Sequence, residues 1–255
     1  MRGDLMKRRG ARRALPLAVL GTGAALLLSG CGADGGDAPE AWAKARTQLE
    51  QADSVRMVTE LRAGAQTSAG ATVPDSTDIS GPTSGEAFRY VSEFRDGAYT
   101  TRDESRTVDG RTFSRLTLEE RGGVAGEDPE YAEKWTAAKA AGDPSAQGMG
   151  AMVDSLLAAL PAGDGLDGKE ADADTLRRSG QDAVRYVLDV PASGEGGGVA
   201  LRAFTVAQDD GELLTVETES AGTGAVTTFS ELNAVPPIEA PAEDAIAEPA
   251  AAPAT

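Results

Sequence analysis

The chain of 255 residues contains 24 basic and 41 acidic side chains, giving a net charge of −17, and it contains no histidine. The absence of histidine excludes Ser-His-Asp, Cys-His and histidine-metal chemistry, because histidine is the usual general base near neutral pH and the commonest metal ligand. The acidic balance argues against nucleic acid as a partner, because phosphate binding needs a cationic surface.

Residues 1–30 have the pattern of a signal peptide. A basic stretch, Lys7–Arg13, is followed by an apolar run, Ala14–Leu28, which Pro16 and two glycines interrupt. A membrane span needs about 20 uninterrupted apolar residues, so this run predicts a segment that is removed after export. The pair Arg12-Arg13 is compatible with the twin-arginine route, but the residues around it match that signal poorly and favour ordinary secretion.

The signal peptide ends in Leu28-Ser29-Gly30-Cys31, and Cys31 is the only cysteine in the chain. These residues resemble the lipobox of bacterial lipoproteins, in which small residues precede a cysteine whose thiol receives a diacylglyceryl group. The resemblance implies that Cys31 becomes the lipid-bearing N-terminus at the outer face of the cytoplasmic membrane, where two acyl chains give stable anchoring. The processed chain would carry a charge near −22, which keeps the domain off anionic lipid except through its anchor.

The remaining motifs do not point to catalysis, a metal or a cofactor. Paired carboxylates could serve glycoside hydrolysis or calcium binding, but no spacing in the sequence supports either. Asp164–Gly168 lacks the alternating ligands of an EF-hand and is interpreted as a turn, and Gly194–Gly198 lacks a phosphate-loop pattern and is interpreted as a hairpin loop. We therefore expect no catalytic residues, no metal, no cofactor and a monomeric protein.

Composition divides the processed chain into three parts. Residues 31–39 are polar and rich in glycine and predict a flexible tether, and residues 241–255, rich in Ala, Pro and Glu, predict a disordered tail. Residues 40–240 are long enough for one domain.

The domain begins with a helix and a strand. Trp42, Ala45 and Leu49 recur at helical spacing and predict an amphipathic helix over 39–52. Alternation over 55–62 predicts the first strand.

Hairpins follow a stretch that the sequence leaves open. Residues 64–84 contain few large apolar side chains and could form a strand or a loop. Asp96-Gly97 and Asp109-Gly110 are each flanked by strand-like sequence, which is a strong short-range hairpin signal. They predict a meander of antiparallel strands.

Helical patterns occupy the middle of the chain. Residues 128–135 and the alanines beyond them predict one helix, with Trp135 near its end. A clearer helix is predicted over 149–160, where apolar residues recur at spacings of three and one, and it stops at Pro161-Ala162-Gly163. Asp209-Asp210-Gly211 predicts a further hairpin turn. Strands resume over 184–190, 199–207, 213–218 and 226–229. The total, about eight to eleven largely antiparallel strands with a few helices, predicts an α+β fold.

The end of the domain carries a family resemblance. Residues 226–246 read VTTFSELNAVPPIEAPAEDAI, which resembles the closing segment of the LppX/LprG-type actinobacterial lipoproteins of the LolA-like superfamily. That segment is a strand of the form T-x-x-F/Y-S, then a proline-containing stretch and a polar tail, and the order of elements in the rest of the mature chain is similar. The resemblance implies a curved antiparallel sheet, a half-barrel, with helices packed on its concave side around an apolar cavity. In that family the cavity holds acyl chains of envelope lipids or lipoglycans.

Such a cavity would be lined by the inward face of the strands and the apolar side of the second helix. The same residues would also fill a solid core, so both interpretations stay open. The predicted function is that of a membrane-anchored lipoprotein that binds a lipid or another hydrophobic ligand. A ligand-free surface interaction or sensor lipoprotein is the alternative, and an enzyme comes last. The candidate lining residues are Phe88, Tyr90, Phe94 and Phe113 on strands and Met149, Met152, Val153, Leu156 and Leu160 on the helix.

Overall fold

The computed structural model describes residues 38–62, 73–120, 131–139, 148–191 and 198–247. All of the described residues belong to one unit, Ala33–Thr255. The predicted signal peptide, the lipobox with Cys31 and most of the glycine run at 194–198 lie outside the described residues.

The described residues form one antiparallel sheet of twelve strands and two α-helices. The helices are α1 (Ala38–Glu50) and α2 (Met149–Ala159). The strands are β1 (Ser54–Leu61), β2 (Ser76–Pro82), β3 (Phe88–Asp96), β4 (Tyr99–Val108), β5 (Arg111–Glu120), β6 (Tyr131–Ala132), β7 (Thr136–Lys139), β8 (Asp172–Arg178), β9 (Gln181–Val190), β10 (Ala200–Ala207), β11 (Leu213–Ser220) and β12 (Thr223–Ser230).

The first and last strands are neighbours in the middle of the sheet. The order is β6-β5-β4-β3-β2-β1-β12-β11-β10-β9-β8, and β7 also pairs with β5. The α+β class, with a curved antiparallel sheet and packed helices, is confirmed. Arg178 at the end of β8 reaches to within 3.5 Å of Thr228 on β12. In a flat sheet these strands would be about 19 Å apart, so the sheet is strongly twisted and curved.

The predicted hairpins and the second helix are confirmed. At Asp109-Gly110 both residues have positive φ, 50° and 69°, which is the conformation of a type I′ turn. Helix α2 ends just before Pro161, where the sequence predicts its stop. Helix α1 begins at Ala38, so the last two residues of the predicted tether already belong to it.

The helix predicted over 128–135 and beyond is wrong for the residues that the structure describes. Residues 131–139 contain β6 and β7, which pair in turn with the outer edge of β5, and Trp135 is not near a helix end. Alanine favours a helix only by a few tenths of a kcal/mol over most residues. The unpaired backbone of β5 offers a full set of hydrogen bonds instead.

Two strands carry no clear pattern in the sequence. Part of the segment left open between a strand and a loop is β2, which lies inside the sheet between β1 and β3. Strand β8 is an edge strand with the sequence DADTLRR, mostly exposed. These strands and the pair β6 and β7 raise the total to twelve, above the predicted number.

The predicted disordered tail starts too early. Residues 243–245 form a 3₁₀ turn, and Ile246 forms a parallel bridge with Trp135. Backbone hydrogen bonds join Trp135 N to Ala245 O at 3.0 Å and Ala247 N to Trp135 O at 2.7 Å. The chain beyond Pro241 is therefore attached to the sheet as far as Ala247.

The main core lies between the two helices and the strands β1 and β9–β12. Its centre is aromatic: Trp42 packs against Phe204 with ring centroids 5.2 Å apart, and Phe204 stacks on Tyr186 at 4.9 Å. Trp42 and Phe204 are fully buried. Among the described residues, no helix is long and apolar enough to cross a membrane.

Candidate ligand pocket

Each side chain of the sheet projects to one of two faces, and directly paired residues share a face. Met57 pairs with Ile79, and Ile79 pairs with Tyr90. Met57 belongs to the main core beneath the helices. We call this side of the sheet the helix face and the other side the opposite face.

A pocket of about 430 Å³ lies on the helix face, where α2 meets β3, β4 and β5. This volume falls within the range of about 300–1,000 Å³ that is usual for small-molecule sites. Two aromatic rings, one thioether and the hydroxyl groups of four serine and threonine residues line the pocket, and its lining contains no charged side chain. The lining residues are Phe88, Tyr90, Ser105, Thr107, Thr112, Ala151, Met152 and Ser155.

The floor of the pocket follows from strand register. Phe88 pairs with Thr107, which pairs in turn with Thr112 across the Asp109-Gly110 turn, and Tyr90 pairs with Ser105. The hydroxyls of Thr107 and Thr112 lie 3.1 Å apart and hydrogen-bond to each other. The floor therefore alternates aromatic rings with small polar groups.

Helix α2 forms the wall of the pocket, and a close backbone contact positions it. A Cβ atom on Gly150 would lie only 2.3 Å from the carbonyl oxygen of Thr83, so glycine permits the helix to approach the end of β2. Thr83 is itself fixed, since its hydroxyl donates to the carbonyl of Ala52 at 2.6 Å. This places Met152, one turn from the helix start, beside the floor.

The structure distributes the nine predicted lining residues over four places. Phe88, Tyr90 and Met152 line the pocket. Phe94 is half-buried at the far end of the helix face, next to Thr101 and outside the pocket lining. The remaining helix residues belong to the main core or pack against it: Met149, Val153, Leu156 and Leu160.

Phe113 is on the wrong side of the sheet for the predicted cavity. It pairs with Arg106 and with Ala137, which places it on the opposite face, buried beneath the guanidinium of Arg111. The two-residue turn at Asp109-Gly110 decides this, because it sets Thr112 and not Phe113 across from Thr107. A register shift of one residue exchanges the two faces.

The sequence interpretation missed the small and polar part of the lining. Ser105, Thr107, Thr112, Ala151 and Ser155 have no strong hydrophobic signal. Three of them could have been found by counting outward from the two hairpin turns, since the register then places Ser105 opposite Tyr90, Thr107 opposite Phe88 and Thr112 opposite Thr107.

The opposite face of the same strands carries an ion cluster. The carboxylate of Glu104, 4% exposed, binds the guanidinium groups of Arg89 at 2.8 Å, Arg106 at 3.0 Å and Arg115 at 3.3 Å. Burial alone would raise the pKa of Glu104, but the hydrogen bonds and positive charges of Arg89 and Arg106 lower it to about 2.

Trp135 closes this cluster. Its ring lies 4.8 Å from the guanidinium of Arg106 and 4.6 Å from that of Arg115. Within the described part of the chain, no group of three or more carboxylate or thiol side chains could hold a metal ion. The cluster joins β3, β4 and β5 through one carboxylate.

A larger pocket, of about 710 Å³, lies elsewhere, where β8 begins beside β9. Its lining contains Lys169, Glu170, Asp172 and Asp189. A charged notch at a sheet edge is a poor fit for an apolar ligand, so the smaller pocket is the candidate ligand site.

The fold and site together define an α+β protein with a helix-covered antiparallel sheet and an uncharged pocket. Neither a protein-family model nor a curated protein matches the chain. In structure it is similar to LprF from Mycobacterium bovis, with 16% identity and a TM-score of 0.48 over 83% of this chain and 100% of that one. It is also similar to the Mycobacterium tuberculosis lipoprotein LppX, with 13% identity and a TM-score of 0.45 over 79% of this chain and 100% of that one.

Proposed function

We propose that this protein is a lipoprotein, anchored through Cys31 at the outer face of the cytoplasmic membrane, that binds a lipid or another hydrophobic ligand. The observation that supports ligand binding is the uncharged pocket of about 430 Å³ between α2 and the strands β3–β5. Phe88, Tyr90 and Met152 supply its apolar surface. A binder also agrees with a sequence that offers no histidine for catalysis.

The chemistry of the lining favours an amphipathic ligand. The aromatic rings and the thioether suit an acyl chain, because methionine is unbranched and adapts to irregular apolar shapes. The hydroxyls of Ser105, Thr107, Thr112 and Ser155 can hydrogen-bond an uncharged ester or hydroxyl group. A fully ionised group would be left without a counter-charge in the pocket.

Binding is tested by native mass spectrometry of Ala33–Thr255, exported with the signal peptide from a high-GC Gram-positive host, followed by solvent extraction. We expect an added mass that extraction releases as lipid. The amount of lipid retained by the variant Met152→Lys should be lower by about tenfold or more, because a bound acyl chain would leave the ammonium group poorly solvated in the pocket. Asp154→Lys is the matched control, since Asp154 is exposed on the same helix and should leave lipid retention unchanged.

Two results would contradict the proposal. Lipid retained equally by Met152→Lys and by the unmodified protein would mean that this pocket is not the site. Bare protein whose melting temperature is unshifted by envelope lipids would favour the ligand-free interaction or sensor lipoprotein.

The anchor is tested separately in the full chain. We expect Cys31→Ala to move the protein from the membrane fraction to the medium, because the variant lacks the thiol that would carry the two acyl chains. Ser29→Ala keeps a small residue before the cysteine and should stay with the membrane. Cell fractionation and the intact mass of the protein measure both outcomes. Retention of Cys31→Ala in the membrane fraction would overturn the proposed anchor.

A further inference from the structure

Strand β8 ends the sheet, and within the described residues nothing pairs with its outer edge. Four of its seven residues are exposed and none is buried. An unpaired strand edge presents a row of N–H and C=O groups that another strand can bind.

The turn after β8 determines which backbone groups point outward. Ser179 and Gly180 have φ values of 52° and 84°, and they join the pair Arg178–Gln181 as a two-residue type I′ hairpin. The residues that flank such a turn are a hydrogen-bonded pair, and bonded and non-bonded pairs alternate from there. Ala173, Thr175 and Arg177 therefore direct their N–H and C=O groups to the free edge.

The sequence of β8 is complementary to itself in the antiparallel direction. It begins with acidic Asp172 and Asp174 and ends with basic Arg177 and Arg178. We infer that β8 pairs with β8 of a second copy of this chain about a twofold axis at Thr175. This register joins all the outward backbone groups of the strand. It also sets each Asp172 across from Arg178 of the other copy as a non-hydrogen-bonded pair, so that the guanidinium of Arg178 would exchange its 3.5 Å contact with Thr228 for the carboxylate of Asp172.

The notch at the start of β8 fits the same arrangement. Strand β9 continues to Val190, beyond the residue that pairs with Asp172. The resulting notch of about 710 Å³ contains three carboxylates, of Glu170, Asp172 and Asp189, and one ammonium group, of Lys169. In the twofold register the hairpin end of the second copy, with Arg177 and Arg178, lies at this notch. The basic end of β8 in each copy thus meets the acidic end of β8 in the other copy, and the twofold axis repeats this contact. A dimer would replace the monomer expected from the sequence.

Cross-linking tests the register directly, because Ala33–Thr255 contains the whole described core and no cysteine. Residues that face each other in a bonded antiparallel pair have Cα atoms about 5.5 Å apart, within disulfide range. We expect Thr175→Cys to form a covalent dimer under mild oxidation and with a short bismaleimide. Asp182→Cys, exposed on β9, should remain monomeric at the same concentration.

Charge reversal tests the pairing by sedimentation across a concentration series. Asp172→Arg places like charges across from each other twice, and it should raise the dimer dissociation constant by about tenfold or more. The double variant Asp172→Arg with Arg178→Asp restores complementarity and should restore the dimer. Any of three results would overturn the inference. The unmodified protein could be monomeric throughout the series, the double variant could dimerise no more tightly than the single variant, or the two cysteine variants could cross-link equally.

Discussion

Replacing Trp42 by alanine is expected to lower the free energy of unfolding by about 3–5 kcal/mol, as for other large aromatic residues removed from a core. Trp42 is fully buried and packs on Phe204 with ring centroids 5.2 Å apart. Its indole nitrogen also donates to the carbonyls of Pro161 and Ala162, each at 3.2 Å. The substitution therefore leaves a cavity and removes the donor from two carbonyls at the end of α2.

The two contributions can be separated by a second variant. Trp42→Phe retains most of the ring packing but not the indole donor, so its cost should be about 1–3 kcal/mol. Chemical denaturation of Ala33–Thr255 measures both values. For a domain of this size each kcal/mol corresponds to about 2–4 °C in melting temperature. A cost below about 1 kcal/mol for Trp42→Ala would mean that α1 is not packed as described.

Trp42 also affects the candidate site, because its indole holds the chain that follows α2, and α2 forms the pocket wall. Arg46 supports the same connection, since its guanidinium donates to Leu157 O at 2.8 Å and to Pro161 O at 3.0 Å. These contacts fix the C-terminal end of α2, while Gly150 fixes its start against Thr83. Because Met152 lies between these two points, the pocket wall depends on both ends of the helix.

The elements that could be predicted from the sequence are those whose signal is local. Helix α1 and helix α2 have an apolar stripe, and the Asp-Gly turns force positive φ whatever the rest of the chain does. Strand β2 has no such signal, because Ile79 is its only large apolar side chain and backbone pairing on both sides holds the rest of Ser76–Pro82. Residues 131–139 were misassigned for the same reason, since the edge of β5 that binds them is distant in the sequence.

Alternation along a strand identifies a face but not the neighbours of that face. It groups Phe88 with Tyr90, helical spacing adds Met152 to the candidate lining, and these three residues line the pocket of the structure. The prediction for Phe113 is wrong because the face of the sheet on which Phe113 lies depends on the strand register across a turn. Met149, Val153 and Leu160 are apolar at the same spacing as Met152, and only the packing of α2 against α1 separates core residues from lining.

Replacing Glu104 by glutamine is also expected to lower the free energy of unfolding by about 3–5 kcal/mol near neutral pH. The substitution is nearly isosteric but removes the negative charge that Arg89, Arg106 and Arg115 share. The side chains of these three arginines are 21–33% exposed, so water only partly replaces the lost carboxylate. Glu93→Gln is the matched control on the same face. Glu93 is 31% exposed and 4.0 Å from Arg95, so its loss should cost under about 1 kcal/mol.

The pH dependence of the unfolding free energy tests the same cluster by its titration. The pKa of Glu104 is about 2 in the folded protein against an ordinary value of 4.5, so the unfolded chain binds its proton first as the pH falls. The contribution of the Glu104 carboxylate to the unfolding free energy is therefore complete above pH 4.5 and is lost between pH 4.5 and pH 2. The difference in pKa corresponds to about 3 kcal/mol. We expect the unfolding free energy of the unmodified protein to fall more steeply over this window than that of Glu104→Gln, in denaturant titrations at closely spaced pH values. Parallel curves for the two proteins would show that the carboxylate titrates normally and that the three arginines do not hold it.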